Sequence, residues 1–169
     1  MTDQVKKFIR VDHAGEFGAA RIYAGQLAVL GRGKHGETLR EMAAQEQRHL
    51  DEFAALIARR RVRPTALLPL WQVAGFALGA ATAALGPRAA MACTVAIEET
   101  IDAHYAAQAE KLDEDEAELR ETISKFRLEE LEHRDIALAN EAEQAPGYRL
   151  MTAVIKAGCR AAIRLSERI

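Results

Sequence analysis

The stretch "LEELEHRD", Leu128 to Asp135, decides how this chain is read, because Glu130 and His133 stand three residues apart and share one face of any helix that contains them. Such a pair is either a solvated surface pair or two inward metal ligands. Traced at spacings of three and four, the helix presents Leu119, Ile123, Phe126, Glu130, His133, Ala137 and Asn140 on one stripe. The Glu and the His lie within that apolar stripe, not opposite it. Upstream, "EQRH" at 46–49 repeats the arrangement in the stripe Leu39, Met42, Glu46, His49, Phe53 and Leu56.

With 18 Glu and 5 His in 169 residues, roughly 0.5 Glu-x-x-His matches arise by chance, so two pairs alone are a modest signal. The segments before them strengthen it. Each is a helical run with a lone Glu in its stripe: Ile9, Asp12, Glu16, Ala19, Tyr23, Leu27 in one, and Met91, Thr94, Glu98, Ile101, Tyr105, Leu112 in the other. Glu16 precedes Glu46 by 30 residues and Glu98 precedes Glu130 by 32, while Tyr23 and Tyr105 each follow the lone Glu by seven. The chain reads as a degenerate duplication. Four helices giving two single Glu and two Glu-x-x-His groups form the ligand set of ferritin-like di-metal carboxylate bundles.

Gly and Pro punctuation divides the chain into helical runs near 3–30, 35–61, 65–85, 87–112, 114–142 and 146–167, with no alternating strand pattern. The expected fold is all-α: a ferritin-like four-helix bundle with a long apolar crossover helix and an additional C-terminal helix, in one domain over 1–169. A composition of 49% hydrophobic residues with 5% aromatics agrees with Ala- and Leu-rich helices. The net charge of -2 and the lack of any RNA or DNA motif argue against nucleic-acid binding. Cys93 and Cys159 are isolated, without CxxC spacing, and read as small core residues in a reducing compartment. The start, "MTDQVKKFIRVDHAGE", lacks the apolar region of a secretory signal, so the expectation is a cytosolic-side or trimmed chain.

Burying Glu16, Glu46, Glu98 and Glu130 uncompensated would cost several kcal/mol per ion, against a domain stability of about 5–15 kcal/mol. Two divalent cations would supply +4 against those four negative charges, with His49 and His133 as neutral donors. Oxygen-rich ligation with one imidazole per metal favours iron or manganese over structural zinc, and two adjacent ferrous ions suit two-electron chemistry with O2. Asp12 and Asp102, each four residues from a lone Glu, are candidates to orient a ligating His. His13, His35 and His104 lack the duplicated spacing, and His35 reads as a loop histidine.

Between Arg63 and Arg88 lie 24 residues without a charge, "PTALLPLWQVAGFALGAATAALGP", long enough to span a bilayer. A span there would separate Glu16, Glu46 and His49 from Glu98, Glu130 and His133, so the segment is expected to be the crossover between the second and third bundle helices. It is too apolar for a fully solvated connection and is expected to meet the bundle or a lipid interface. The last helix carries Lys156, Arg160, Arg164 and Arg168 in an i, i+4 series suited to anionic head groups or an anionic reductant.

These residues resemble the demethoxyubiquinone hydroxylase family of ubiquinone biosynthesis. The resemblance covers nearly the whole chain and rests on "RVDHAGEFGAARIYAGQLAVLGR", "RVRPTALLPLWQVAGFALGAATAALG", "AMACTVAIEETI", "KFRLEELEHRDIALA" and "AGCRAAIRLSERI". It implies iron ligands at Glu16, Glu46, His49, Glu98, Glu130 and His133, and near-site roles for His104 and Tyr105. It also implies hydroxylation of a demethoxyubiquinol-type polyprenyl quinone with O2, with NADH or reduced quinone as electron donor. The expected location is peripheral, on the cytoplasmic face of a bacterial inner membrane or the matrix side of a mitochondrial one, with ubiquinone-biosynthesis proteins as further partners. Arg164 stands where the family carries an aromatic residue, so no role of that aromatic carries over. The competing readings are an iron-storage or peroxide-detoxifying ferritin relative, which leaves the crossover unexplained, and a membrane-bound scaffold.

Overall fold

A computed structural model describes residues 1–169 as six α-helices without a strand. Helix α1 spans Asp3–Leu30, α2 Gly36–Arg60, α3 Leu68–Ala84, α4 Pro87–Ala109, α5 Ala117–Ala139 and α6 Tyr148–Ser166. Their limits have local causes. Thr2 caps α1 by accepting the Val5 N–H at 3.3 Å. Gly86, at φ 114°, turns the chain into α4, whose first residue is Pro87.

Helix α1 packs on α2, and α4 on α5; the two pairs meet across the core, and α3 and α6 cover α1 and α4 from outside. The stripe of α2 is buried as its periodicity predicts, from Leu39 through Met42, Glu46, His49 and Phe53 to Leu56. That of α5 is likewise buried from Leu119 to Ala137, with Asn140 left half-exposed at the helix end. Helix α4 differs. It is buried all round from Ala89 to Glu98, because α6 closes the face that α5 leaves open.

The charge-free crossover is α3 and its flanks. No helix is long and apolar enough to cross a membrane. Gly75 and Gly79 press onto the backbone of α1, where an added Cβ would lie 2.9 Å from the Gly18 carbonyl and 2.0 Å from that of Ile22. Glycine is therefore required at Gly79 by close approach, and the glycines that interrupt the hydropathy are the contact face. The opposite side of α3 exposes Leu70, Val73 and Phe76. Trp71 Nε1 donates to Ser166 Oγ at 3.1 Å, and the Ala66 N–H to the Ile169 carbonyl, tying the end of α6 to the start of α3.

Candidate metal centre

Helices α1, α2, α4 and α5 bring all six predicted side chains to one point in the core. Glu16, Glu46, His49 and Glu130 form one group and Glu46, Glu98, Glu130 and His133 a second, with the ligating atoms of each within 4.8 Å of one another. Glu46 and Glu130 belong to both. Each of the six side chains is at most 1% exposed. His49 Nδ1 lies 3.1 Å from Glu130 and 3.5 Å from Glu16, and His133 Nδ1 lies 2.9 Å from Glu46 and 3.5 Å from Glu130.

Proximity here is not hydrogen bonding. Both oxygens of Glu46 and Glu130, one each of Glu16 and Glu98, and Nδ1 of both histidines have no hydrogen-bond partner. Buried polar atoms are nearly always paired, so eight converging unpaired donor atoms match what two cations require. Protein charges alone hold the cluster awkwardly. Burial pushes the Glu16 carboxyl up to about 8 and raises Glu46 and Glu98 as well, reinforced by repulsion from Glu130. Burial also opposes charge on His49, but the close carboxylates of Glu130 and Glu16 carry it up to about 11; His133 reaches about 9 beside Glu130 and Glu46. Protons thus stand where cations would stand, and metal binding would displace them.

The outer partners cross between the halves. Tyr23 of α1 donates to Glu98 of α4 at 2.7 Å, and Tyr105 of α4 donates to Glu16 of α1. Burial and the neighbouring carboxylates raise both phenols well above 10, so they remain donors. His49 Nε2 is 2.5 Å from Glu129, on the other side of the duplication, and His133 Nε2 is 3.2 Å from the Gln45 amide oxygen. These acceptors hold a ring proton on Nε2 and turn Nδ1 inward, where its lone pair would be free once a metal displaced the second proton. Phe126 stacks on His49 with centroids 4.0 Å apart, and the Tyr23 ring meets His133 edge-on at 6.1 Å.

Asp12 and Asp102 do not orient a ligating His, contrary to the spacing argument. Asp12 Oδ1 accepts from Gln108 Nε2 at 2.7 Å and stands 3.5 Å from His104, whereas Asp102 takes Arg127 Nε at 2.6 Å. Four residues from the lone Glu, before it for Asp12 and after it for Asp102, is one helical turn along the same helix, away from the facing histidine. The histidines are instead held by Gln45 and Glu129, which sequence reasoning missed. Their one signal is positional: each immediately precedes the Glu of a Glu-x-x-His pair. His13 is buried on α1 outside the six, and His35 lies in the turn before α2.

Beside the cluster lies an apolar cavity of about 370 Å³ between α1, α3, α4 and α6. Glu16, Tyr105, His104 and Asp12 line it together with Trp71 and Leu78. It touches Glu16 alone among the six, so the centre opens on the Glu16–His49 side only. Gln108 Nε2 lies 2.7 Å from His104 Nε2 and links that histidine to Asp12.

Residues 3–166 match the family described as ubiquinone biosynthesis protein COQ7. The chain is 59% identical over 166 residues to 3-demethoxyubiquinol 3-hydroxylase of Rhodospirillum rubrum, covering 98% of this chain and 78% of the relative. It is 56% identical over 169 residues to the human NADPH-dependent 3-demethoxyubiquinone 3-hydroxylase, mitochondrial, at the same coverage. The yeast 5-demethoxyubiquinone hydroxylase, mitochondrial, is 43% identical over 180 residues, covering 96% and 77%. A cluster of buried carboxylates and histidines beside an apolar cavity thus sits in a sequence matched from end to end, and the chain belongs to the COQ7 family of ubiquinone biosynthesis proteins.

Proposed function

We propose that this chain is a di-iron monooxygenase that hydroxylates the ring of a demethoxyubiquinol-type polyprenyl quinone with O2. The observation that carries the reading is the opening of the carboxylate–histidine cluster, at Glu16, onto an apolar cavity. Glu16, Glu46, His49, Glu98, Glu130 and His133 would hold two irons, with Glu46 and Glu130 shared. Two irons held there would supply the electrons that O2 needs to place one oxygen atom in the ring.

The remaining work belongs to the chain's own side chains. Trp71, Leu78 and the apolar wall exclude water and bind the ring and the start of its tail. Tyr105 holds the Glu16 carboxylate from the cavity side. His104, supported by Gln108 and Asp12, is the polar group that faces a quinol hydroxyl there, which makes it the candidate to accept or return a proton. The test is anaerobic loading with ferrous iron, addition of a short-tailed demethoxyquinol and isotopically labelled O2, and mass analysis for one added labelled oxygen. Turnover of iron without quinone would favour the storage or peroxide-detoxifying reading, which the names of the relatives and the cavity do not support.

The electron donor is proposed as a nicotinamide, NADH or NADPH, or the reduced quinone itself; the human relative's name specifies NADPH for that protein. A lipid surface is the proposed source of substrate, because a polyprenyl tail is nearly insoluble in water. Support comes from the outer side of α3, with Leu70, Val73 and Phe76, and from exposed Leu150, Val154 and Leu165 on α6. Arg160 and Arg164 lie exposed on α6 and are available to head groups, whereas Lys156 is already paired with Glu99. Placement on the inner-membrane face and contact with other ubiquinone-biosynthesis proteins belong to the same proposal.

A further inference from the structure

The duplication supplies an internal control, since equivalent positions of the two halves can be compared within one chain. Gln45 and Glu129 are such a pair: each directly precedes the Glu of a Glu-x-x-His group, and each receives the outer nitrogen of the other half's histidine. Their chemistry differs. Glu129 is a carboxylate 2.5 Å from His49 Nε2, and Gln45 is a neutral amide 3.2 Å from His133 Nε2. A carboxylate draws the ring proton more strongly than an amide oxygen, which makes the opposite nitrogen a better electron donor to a metal.

Other contacts sharpen the difference. Phe126 lies flat on the His49 ring and excludes water from its face, while the equivalent position in the first half is Met42, which lies against Tyr23 Oη at 3.8 Å. Glu129 is itself anchored, with Lys125 Nζ 4.0 Å away, and its side chain is 23% exposed. The better-supported histidine is also on the cavity side, because Glu16, its partner in the group of four, is the candidate ligand that reaches the cavity.

We propose that the two metal positions are inequivalent, and that Glu129, as a positioning residue acting through His49, makes the cavity-facing Glu16–His49 position the tighter of the two. This rests on the two-metal reading above. The Glu98–His133 position, whose histidine is backed by the neutral Gln45, is then the one that fills last and empties first. Substrate would meet the more strongly held and more electron-rich ion.

The experiment is an anaerobic Co2+ titration of the full chain, followed by calorimetry and by cobalt absorption. Two equivalents binding in two resolved steps are expected. Single variants His49→Gln and His133→Gln mark the steps, the first deleting the tight one and the second the weak one. Glu129→Gln should weaken the tight step by about 10–100-fold, the usual cost of losing such a partner, and Glu129→Asp should restore part of it. The charge-conserving exchange of Gln45→Glu with Glu129→Gln should reverse the order, so that His133→Gln now removes the tight step. Two indistinguishable steps in the natural chain, equal weakening of both by Glu129→Gln, or an unchanged order in the exchanged variant would each overturn the inference. Uptake of fewer than two equivalents by the natural chain would overturn the two-metal reading itself, a separate outcome.

Discussion

Helices α1 and α2 stand against α4 and α5 as one copy of a pattern against another. Glu16, Tyr23 and Gln26 in the first copy recur at the same intervals as Glu98, Tyr105 and Gln108 in the second, and Glu46 and His49 recur as Glu130 and His133. The tyrosines bond across the pseudo-symmetry in the same way, and so do the glutamines: Gln26 reaches Thr94 and the Ala90 carbonyl, Gln108 reaches Asp12. The copies diverge beside the cavity, at Asp12 and His104, and behind one histidine, at Glu129. Asp12 faces Thr94 in the comparison, His104 faces Ile22, and Glu129 faces Gln45. Symmetry is thus kept across the six candidate ligands and given up at Asp12, His104 and Glu129.

The largest expected effect comes from breaking what the halves share. Glu130→Gln removes a negative charge common to both positions, so two buried cations would be left undercompensated. Metal content should fall from two per chain to one or fewer, and turnover by more than the roughly 10–100-fold cost of losing an outer partner. Metal analysis after anaerobic loading checks it; two tightly held irons with full activity would remove Glu130 from the set.

Next in size is a reversal of the pH response. In the metal-free protein Glu16 is raised from 4.5 to about 8 and His133 from 6.5 to about 9, so the folded state holds more protons than the unfolded one between those values. Their stabilising contribution is complete below the unfolded values and is lost as pH rises through the folded ones. Metal-free protein should therefore lose stability from about pH 5 to 9, while metal affinity climbs over the same range as protons cease to compete. Thermal melts with and without metal should slope in opposite directions, and metal addition at neutral pH should release protons. In the same vein Glu98→Gln, which mimics the protonated acid, should stabilise the metal-free chain by about 1–3 kcal/mol and weaken metal binding.

The sequence carried the shared part of this comparison because the six candidate ligands lie on amphipathic stripes, where a Glu or His among Leu, Ile and Phe stands out. Gln45 and Glu129 escaped because each sits one residue, about 100°, off its stripe on a half-exposed flank, with a partner 80 or 88 residues away. The second buried faces of α1 and α4 escaped for a related reason. They are buried only because α3 and α6 cover them, and no periodicity within α1 or α4 encodes that cover. The charge-free crossover reads as one apolar run, but helical spacing divides it: Trp71 and Leu78 line the cavity, and Leu70 and Phe76 are exposed.

A smaller effect should separate the two tyrosines. Each loses one hydrogen bond to a carboxylate when changed to Phe, a loss of about 1.5–3 kcal/mol from metal-site support in either half. Only Tyr105 also reaches the cavity. Tyr105→Phe should therefore lower turnover at full metal loading by more than Tyr23→Phe does, and His104→Ala should lower turnover while leaving metal content at two. Equal turnover for the two tyrosine variants would mean that the cavity side is not the reacting side.

The smallest effect at the metal centre, and the largest away from it, belongs to the outer side of α3. Val73 is 67% exposed and Phe76 42%, and neither touches the metal cluster or the cavity. An apolar side chain moved from water to a lipid interface contributes on the order of 1–2 kcal/mol, so each charge placed there should weaken liposome binding by at least about tenfold. Metal content should stay at two, because backbone at Gly75, Gly79 and Phe76 makes the close contact with α1, while the Val73 and Phe76 side chains are exposed. Val73→Glu and Phe76→Glu are compared for sedimentation with anionic liposomes, for metal content, and for turnover of a short-tailed, water-soluble quinol. Loss of liposome binding with turnover intact is expected, since the soluble substrate bypasses the surface. Unchanged liposome binding would remove this face as the lipid contact, and a fall in metal content would instead tie the outside of α3 to the stability of the bundle.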